Sequence, residues 1–580
     1  MADFRELIAV TLEQVLEGRM GNNSNISRAE IAALLEIPPS PKMGDYAFPC
    51  FRLAAEFKKS PDEIAVELAE KIFLPDGIAG MNPDGPYLNF FAAKDLVAQD
   101  TINRILKEGQ GYGKSETGKG QKVLVEYSAP NSNKPLHLGH LRNNSAGMAV
   151  SNILGASGFR VIRANLVNDR GIHICKSMLA YKLFGNNATP ESAKKKPDHF
   201  VGDYYVMYNQ KSKEQPELEK QAYDLLQLWE KGDKETRNLW KKMTAWAVQG
   251  FKETYREFGS VFEEWFFESQ FYDKAKPIIE LGKKTGLFQK NEEGSIVALL
   301  EGHGLPDKIV LRADGTSIYI TNDLALTKHK FEKFKLNRCF WVVGNEQDLY
   351  FRQLFKIFQL LGFEWAKKCI HLSHGMVTLP SGRLKSREGK VVDADEIIAE
   401  MEKLAAEEIK KRAPEINPKE LALRSRAIGL AAIKFHMLKV AIQKDLLFNP
   451  EESISFEGET GPYVQYAHAR ARSILAKAGK IKIDKFGFER LIGPEEQKLL
   501  KLLAAYPDTV KKSLEQLSPH VICQFLIETA EAFNSFYHKH KVLQAGSEEI
   551  MIERIALVQA TAQVLKNGLE LLDIEAIEKM

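Results

Sequence analysis

Residues Lys122–Arg142 read KVLVEYSAPNSNKPLHLGHLR, and this stretch decides the fold. Lys122 to Ser128 is short, apolar and β-branched, which reads as a buried strand. Pro130, Asn131 and Pro135 then break the chain, and HLGHLRNNSAGMAVSNIL takes up helical spacing. A loop feeding a helix N-terminus leaves backbone N–H groups unpaired and puts the positive end of the peptide dipoles there, so the place suits a polyphosphate. His137 and His140 sit at the mouth of the first turn. Gly139 between them has no Cβ and lets a flat nucleotide lie close to the backbone. Two histidines and a glycine in four positions are weak alone, because a histidine at a helix start is more often a cap or a surface group. Their place after a strand and inside a Pro/Asn loop adds weight.

GFRVIRANLVND, Gly158 to Asp169, is a second strand candidate, ended by Asp169, Arg170 and Gly171. Strand, helix, strand opens a parallel, doubly wound sheet, whose ligands lie beyond the C-terminal strand ends.

The whole chain of 580 residues exceeds what one core supports, so two to four domains are expected. Its 44% hydrophobic and 27% charged residues are ordinary for a soluble globular protein. The net charge of +3 neither demands nor excludes a nucleic-acid partner. Cys50, Cys175, Cys339, Cys369 and Cys523 form no CxxC pair, which argues for a reducing compartment and against a zinc knuckle or a disulfide framework. MADFRELIAVTLEQVLEG mixes Asp3, Arg5, Glu6 and Glu13 into its apolar positions and reads as an amphipathic helix, not a secretory signal. No apolar run approaches membrane-spanning length, so a cytoplasmic protein with no membrane partner is expected.

Around this centre, residues 1–118 carry that helix, a break at Pro38, Pro39 and Pro41, a second helix from Ser60 with Pro61, Asp62 and Glu63 in its first turn, and GPYLNFF alternating like a strand from Gly85. On physical grounds this is a small α+β domain without chemistry of its own. Lys114 to Lys122 is a polar linker. From about 180 to 302 the chain is charged and helical, an insertion over the nucleotide fold whose lysine runs read as a solvated face. IVALLE and KIVLRADGTSIYIT return to strand spacing, with Asp314-Gly315 as a hairpin turn, and Tyr319, Asn322 and Asp323 fall where this strand enters a helix. NRCFWVVGNEQDLYFRQLFKIF repeats strand, loop, helix, with Gly344 and Gln347 in the loop. Gly382 to Lys390 is a glycine-bracketed basic loop that alone would be a surface hairpin. After Leu404 the chain reads as a helical bundle, with Phe533, Phe536 and Tyr537 expected in its core.

KVLVEYSAPNSNKPLHLGHLRNNSAG resembles the ATP-binding segment of class I aminoacyl-tRNA synthetases, and Glu126, Pro130, Asn131, Lys134, Pro135 and HLGHLR resemble the arginyl-tRNA synthetase form of it. GDYA at Gly44 to Ala47 and GPYLNFF are similar to that family's N-terminal domain, which contacts the outer corner of tRNA. TSIYITND and GNEQDLY resemble the segments that build the amino-acid pocket. The 382–390 loop is similar to the KMSKS motif, with Arg383, Leu384, Lys385, Ser386 and Arg387 in its five places, so that Ser386 replaces the second lysine. FEGETGPYVQYAHARARSIL, Phe456 to Leu475, looks like the start of the family's helical anticodon-binding domain.

The resemblance implies an α/β fold: a Rossmann-type parallel-sheet catalytic domain at 119–400, an N-terminal α+β domain at 1–118, a helical connector at 401–455 and an all-α anticodon-binding domain at 456–580. It implies an arginine–tRNA ligase that activates L-arginine with ATP and transfers it to tRNA(Arg). Mg2+ is expected to arrive with ATP, since its sites are usually built from phosphates and water, and no structural metal is expected. The protein is expected to act as a monomer. By the same resemblance His137, Gly139, His140, Lys385, Ser386 and Arg387 meet ATP, and Lys134 is the candidate for the missing cation. Asp323 and Tyr319 hold the guanidinium, Asn131 and Gln347 lie near the α-amino and carboxylate groups, and Glu126 lines the pocket. Tyr463, Tyr466, Arg470, Arg472 and Met580 are candidate tRNA contacts, the aromatics and arginines because bases stack on rings and guanidinium planes. Blander readings stand beside these: Lys134 as a solvated loop lysine, Glu126 as a strand residue paired with a nearby Lys or Arg, Tyr319 as core packing. Two other functions compete, a nucleotidylyltransferase, which also uses HxGH, and an RNA-binding relative that has lost activity, for which the altered RLKSR string speaks.

Overall fold

The computed structural model of the chain describes residues 4–20, 26–36, 38, 43–380, 392–479, 481 and 487–580. The chain forms two compact units, one of residues 1–112, 470–505 and 531–564, the other of residues 113–469, 506–530 and 565–580. The helical stretch 456–580 is thus divided between both.

In the first unit, strands β1 (Tyr46–Pro49), β2 (Ile78–Asp84) and β3 (Tyr87–Ala92) make an antiparallel sheet in the order β1-β3-β2. Helices pack on it through Ile8, Leu12, Ile64, Leu68, Phe48 and Phe90, all buried. Ser60 starts the helix Pro61–Lys71 with a reciprocal cap: its hydroxyl accepts from Glu63 N, and its own N–H donates to Glu63 Oε2 at 2.9 Å. In the same unit Phe533 and Phe536 are buried, whereas Tyr537 is 41% exposed. Tyr537 departs from the expected core position and instead carries the Arg470 guanidinium 5.2 Å above its ring.

The second unit contains, in chain order, β4 (Lys122–Glu126), β5 (Arg160–Val167), β6 (Glu264–Phe267), an antiparallel sheet of β7 (Phe288–Lys290), β8 (Ile296–Ala298) and β9 (Lys308–Leu311), then β10 (Arg338–Gly344) and β11 (Cys369–His374). Five of them form the central parallel sheet in the order β11-β10-β4-β5-β6. The chain leaves β4 toward β5 and β6, then returns to build β10 and β11 on the other side. Strand order therefore reverses between β4 and β10, where such sheets open a crevice for ligands. Glu126 ends β4 and Gly344 ends β10, so the loops after both strands reach that crevice.

The helix Leu138–Ala156 joins β4 to β5 and is buried along nearly its whole length. Gly147 makes this possible: a Cβ there would stand 2.3 Å from Cγ of Tyr127. On its other neighbours, Leu138 and Leu141 pack with Phe251, Ile398, Met401 and Ile433 of the helices Lys234–Phe258, Ala394–Arg412 and Pro418–Leu438.

Three expectations need correction. The helical insertion ends at Phe258, and β6, inside the stretch read as 180–302, belongs to the central sheet; four residues are too few to display a strand period. The turn at Asp314-Gly315 exists, with Gly315 at φ 80°, but the following segment is helical from Tyr319 because the Thr321 hydroxyl accepts from Ile318 N at 2.9 Å and starts a helix. The boundary drawn at 400/401 cuts the helix Ala394–Arg412, which Asp393 begins by accepting from Asp395 N at 2.8 Å. The KMSKS-like loop at 382–390, with Lys385, Ser386 and Arg387, lies outside the described residues.

Candidate active site

His137 is the cap of the helix that follows β4. Its Nδ1 accepts from Gly139 N at 3.2 Å, its own N–H donates to His140 Nδ1 at 3.1 Å, and the two rings lie 3.9 Å apart. Since both Nδ1 atoms accept, the neutral rings carry their protons on Nε2, and each presents an N–H donor. Both rings are neutral at physiological pH. Burial and then the Lys134 charge bring His137 down to about 4, and burial, His137, Lys134 and His374 hold His140 well below its usual range. Lys134 is half-buried, and desolvation lowers its pKa as well.

Neighbouring backbone locks this corner. Asn131 pairs with Asn168 beyond the ends of β4 and β5, and Ser132 N donates to Asn168 O at 3.0 Å. Leu138 N donates to Val392 O and Ala394 N to Leu136 O, each at 3.0 Å, so the chain just past residue 391 is stitched to the HLGH corner. Gly202 permits close approach of the insertion, since its Cβ would stand 2.8 Å from Pro135 Cδ. Arg142, 1% exposed, braces the same helix by donating to the carbonyls of Met376, Ile442 and Lys444.

A second group of side chains lies in the loops after β4 and β10, at the end of β4 and in the first turns of the helix Tyr319–Phe334. Asp323 is half-buried, Tyr350 Oη donates to its Oδ2, and burial pushes its carboxyl up to about 6 against the Tyr350 hydrogen bond and the Lys330 charge. Tyr319 is 58% exposed, its hydroxyl 3.9 Å from where a Cβ on Gly171 would lie. Gln347 is exposed at the start of the helix Asp348–Leu360, and Asn131 is half-buried. Glu126 is buried and accepts from Lys330 Nζ at 2.6 Å, the partnered arrangement weighed for it in the sequence.

One carboxylate escaped the sequence reading. Glu268, at the exit of β6, is 6% exposed; Asn322 Nδ2 donates to its Oε1 at 2.8 Å, while its Oε2 is buried without a hydrogen-bond partner, as is Asn322 Oδ1. Burial, opposed by the Asn322 hydrogen bond and aided by Asp323, pushes its carboxyl up to about 7. A buried acceptor left open beside another acid calls for a cation with several donors. Glutamate after a four-residue strand gives no local signal of this.

Elsewhere in the unit, Asp198, His199 and Asp395 bring ligand atoms within 4.8 Å of one another. Lys196 Nζ already stands 2.5 Å from Asp395 Oδ2 and 3.4 Å from Asp198 Oδ2, so an ammonium occupies the cation position. Among the candidate tRNA contacts, Tyr466 and Met580 are half-buried against the cluster around Leu141, Tyr463 and Arg472 are half-buried, and Arg470 donates to Asn534 Oδ1 at 2.6 Å. Among the described residues no helix is long and apolar enough to cross a membrane.

Residues 101–449 match the model of the class I tRNA synthetase (R) catalytic domain. Residues 464–580 match the DALR anticodon binding domain, and residues 2–92 the arginyl tRNA synthetase N-terminal domain. The chain is 42% identical to the arginine–tRNA ligase of Treponema denticola over 94% of each chain. The chain belongs to the arginyl-tRNA synthetase family. It is also 38% identical to the arginine–tRNA ligase of Borrelia duttonii, over 100% of this chain and 99% of the relative. The solved arginyl-tRNA synthetase of Thermus thermophilus superposes at a TM-score of 0.82 and 26% identity, over 99% of this chain and 100% of that one. The family's activity, ATP-dependent ligation of arginine to tRNA, is accordingly this chain's activity, with the class I catalytic domain and the helical anticodon-binding domain it requires.

Proposed function

We propose that ATP lies across the HLGH corner and that arginine enters the crevice beside it, its guanidinium against Asp323, Glu268 and Tyr319. The observation that carries the reading is the buried, unpartnered Oε2 of Glu268 next to the raised carboxyl of Asp323. Two acids that burial makes reluctant to ionise become good partners for a planar cation with five donors, which restores the charge and the hydrogen bonds together. Asn131 and Gln347, at the loops after β4 and β10, face the α-amino and carboxylate end. Glu126 lines the floor of the crevice, its charge balanced by Lys330.

Chemistry then needs position more than a nucleophile from the protein. The arginine carboxylate attacks the α-phosphorus of ATP, the bond to the bridging oxygen breaks, and pyrophosphate leaves. Neutral His137 and His140 donate from Nε2 to phosphate oxygens as charge accumulates there, and Lys134 supplies the cation that Ser386 does not. Lys385 and Arg387 add charge from the KMSKS-like loop, and Mg2+ arrives on the nucleotide. A ribose hydroxyl of the terminal adenosine of tRNA(Arg) then attacks the arginyl carbonyl, and AMP departs. In this reading the N-terminal domain meets the outer corner of the tRNA, while Tyr463, Tyr466, Arg470, Arg472 and Met580 serve the anticodon-binding domain, and the enzyme works as a cytoplasmic monomer.

Charging total tRNA with each of the twenty amino acids tests the substrate. Arginine-driven pyrophosphate exchange in the presence of tRNA tests the pocket. Removing one carboxylate from a buried cation costs on the order of 3–5 kcal/mol, so Asp323→Ala lowers arginine use roughly several hundredfold. Near-normal exchange by that variant would take Asp323 out of the pocket.

A further inference from the structure

The loop after β5, which is hydrogen-bonded to the segment bearing Glu268, carries a cation that the proposed reaction does not use. Arg170, in the loop after β5, has a side chain only 7% exposed; its Nη2 donates to Glu230 Oε1 of the insertion helix Glu217–Lys231. Its guanidinium carbon lies 5.6 Å from the Trp229 ring and 5.1 Å from the Tyr272 ring. Arg237 stacks on the same Trp229 at 3.6 Å and donates to Trp229 O at 2.7 Å, fixing that ring in turn.

The residue before it closes the geometry. The Asp169 carboxylate accepts from Ser269 N at 2.9 Å and Ser269 Oγ at 2.7 Å, and Asp169 O accepts from Trp240 Nε1 at 2.6 Å. Residues 169–170 therefore run alongside 268–272, the segment that bears Glu268. The residue after it, Gly171 at φ 114°, opens onto the Tyr319 hydroxyl. Arg170 Nε and Glu268 Oε2 are both buried without a partner.

We propose that Arg170 is a positioning residue of the arginine pocket: anchored by Glu230, Trp229 and Tyr272 in the loop that runs beside the Glu268 segment, it favours the ionised form of that carboxylate, open to the incoming guanidinium. The proposal rests on the reading of Glu268 as a substrate contact. The groups acting on Glu268 are Asn322 and Asp323 from the helix Tyr319–Phe334 and Asp169 and Arg170 from the loop after β5; the hydroxyls of Tyr319 and Tyr350 in turn feel its charge. Arg170 carries the positive charge in that set. Through it the helical insertion, which touches no reacting group in this scheme, sets how well arginine binds.

The test compares Arg170→Gln, Arg170→Lys and Glu268→Gln in arginine-dependent pyrophosphate exchange with tRNA, between pH 6.5 and 9. Loss of a neighbouring cation raises a carboxyl by about one pKa unit or more, so the ionised share of a group near 7 falls about fivefold at pH 7. Arg170→Gln is expected to raise the KM for arginine by about that factor at pH 7, to recover most of it by pH 9, and to leave the KM for ATP unchanged. Arg170→Lys keeps the charge and is expected to follow the wild-type pH profile. A wild-type arginine KM in Arg170→Gln overturns the proposal, and so does a loss that is flat with pH or shared equally by ATP, which marks packing alone. If Arg170→Gln does not fold, a pH profile in Arg170→Lys displaced from wild type as far as that of Glu230→Gln overturns it, and a retained one supports it. Glu268→Gln separates the two claims: normal arginine use by that variant removes Glu268 from the pocket, whereas a loss there with none in Arg170→Gln sinks only the role of Arg170.

Discussion

Lys330 and Glu126 form an ion pair, 2.6 Å from Nζ to Oε2, with side chains only 1% and 5% exposed. The pair ties the helix that carries Tyr319, Asn322 and Asp323 to the end of the central strand β4, and the ammonium also lies 5.1 Å from the Trp341 ring. Neither Asp323 nor Glu268 takes part in an ion pair among the described residues. The protein thus pairs one acid of this group directly with an ammonium, and in the proposed reading the other two meet the substrate.

Breaking that pair from one side leaves a buried charge alone, which costs about 3–5 kcal/mol. Lys330→Met should lose that much in urea unfolding, while Lys330→Met with Glu126→Gln should recover most of it, because no charge is then stranded. Equal losses in the single and double variants would mean that Lys330 contributes by packing and not by charge.

Asp323, raised to about 6, and Glu268, raised to about 7, give the unliganded protein a definite pH dependence. Both folded values exceed the unfolded ones near 4, so the native state holds protons that the unfolded chain has shed. Their contribution to stability is full below about pH 4 and is lost as the pH rises through 6 to 7. In the proposed reading arginine binds the ionised forms, so its effect has the opposite sign. Between pH 5 and 8 the rise in Tm produced by saturating arginine should grow, and in Asp323→Asn with Glu268→Gln that growth should vanish. Equal protection by arginine at both pH values would show that these acids do not meet it.

How much of this was legible in the sequence follows from distance along the chain. The HLGH corner is local: the strand Lys122–Glu126, the Pro/Asn loop and the capped helix lie in one stretch, and each carries its own period or turn residues in the local sequence. Ser60 and its Glu63 partner are three residues apart and equally readable. Glu268 was invisible because Asn322, which orients it, lies 54 residues away, and a glutamate after a short strand is otherwise a surface residue. Lys330 meets Glu126 across 204 residues, so sequence could propose that some Lys or Arg pairs with Glu126 without saying which. Tyr537 faces outward against expectation because a helix of mixed aromatics and polar groups does not declare which ring is buried.

Lys134 is three residues before His137, and its charge bears on both histidines. Burial lowers its pKa, and in the proposed reading the triphosphate of ATP reverses that shift. A hydrogen bond to a charged group is worth about 1.5–3 kcal/mol, and Lys134→Ala should lower arginine activation by roughly ten- to a hundredfold with tRNA present. A rate within about threefold of wild type, under 1 kcal/mol, would return Lys134 to the status of a loop lysine.

Gly139 makes a prediction in which stability and activity part company. It sits in the first turn of the helix Leu138–Ala156, and a Cβ there would lie 3.0 Å from Cε1 and 3.1 Å from Nδ1 of His137. An alanine in a helix is favoured over glycine by about 0.5–1 kcal/mol, and the contact can be relieved by turning one imidazole, so Gly139→Ala should unfold no more easily than wild type. Turning that ring breaks its hydrogen bond from Gly139 N, the interaction that holds the proton on Nε2 and fixes the ring's orientation. The variant should therefore keep its Tm and its affinity for arginine while its KM for ATP rises and its exchange rate falls about tenfold or more, the effect of misplacing one donor to the phosphates. Unchanged kinetics in a variant of unchanged stability would mean that His137 does not act from the orientation its cap imposes, and the nucleotide would have to be placed elsewhere on the helix start.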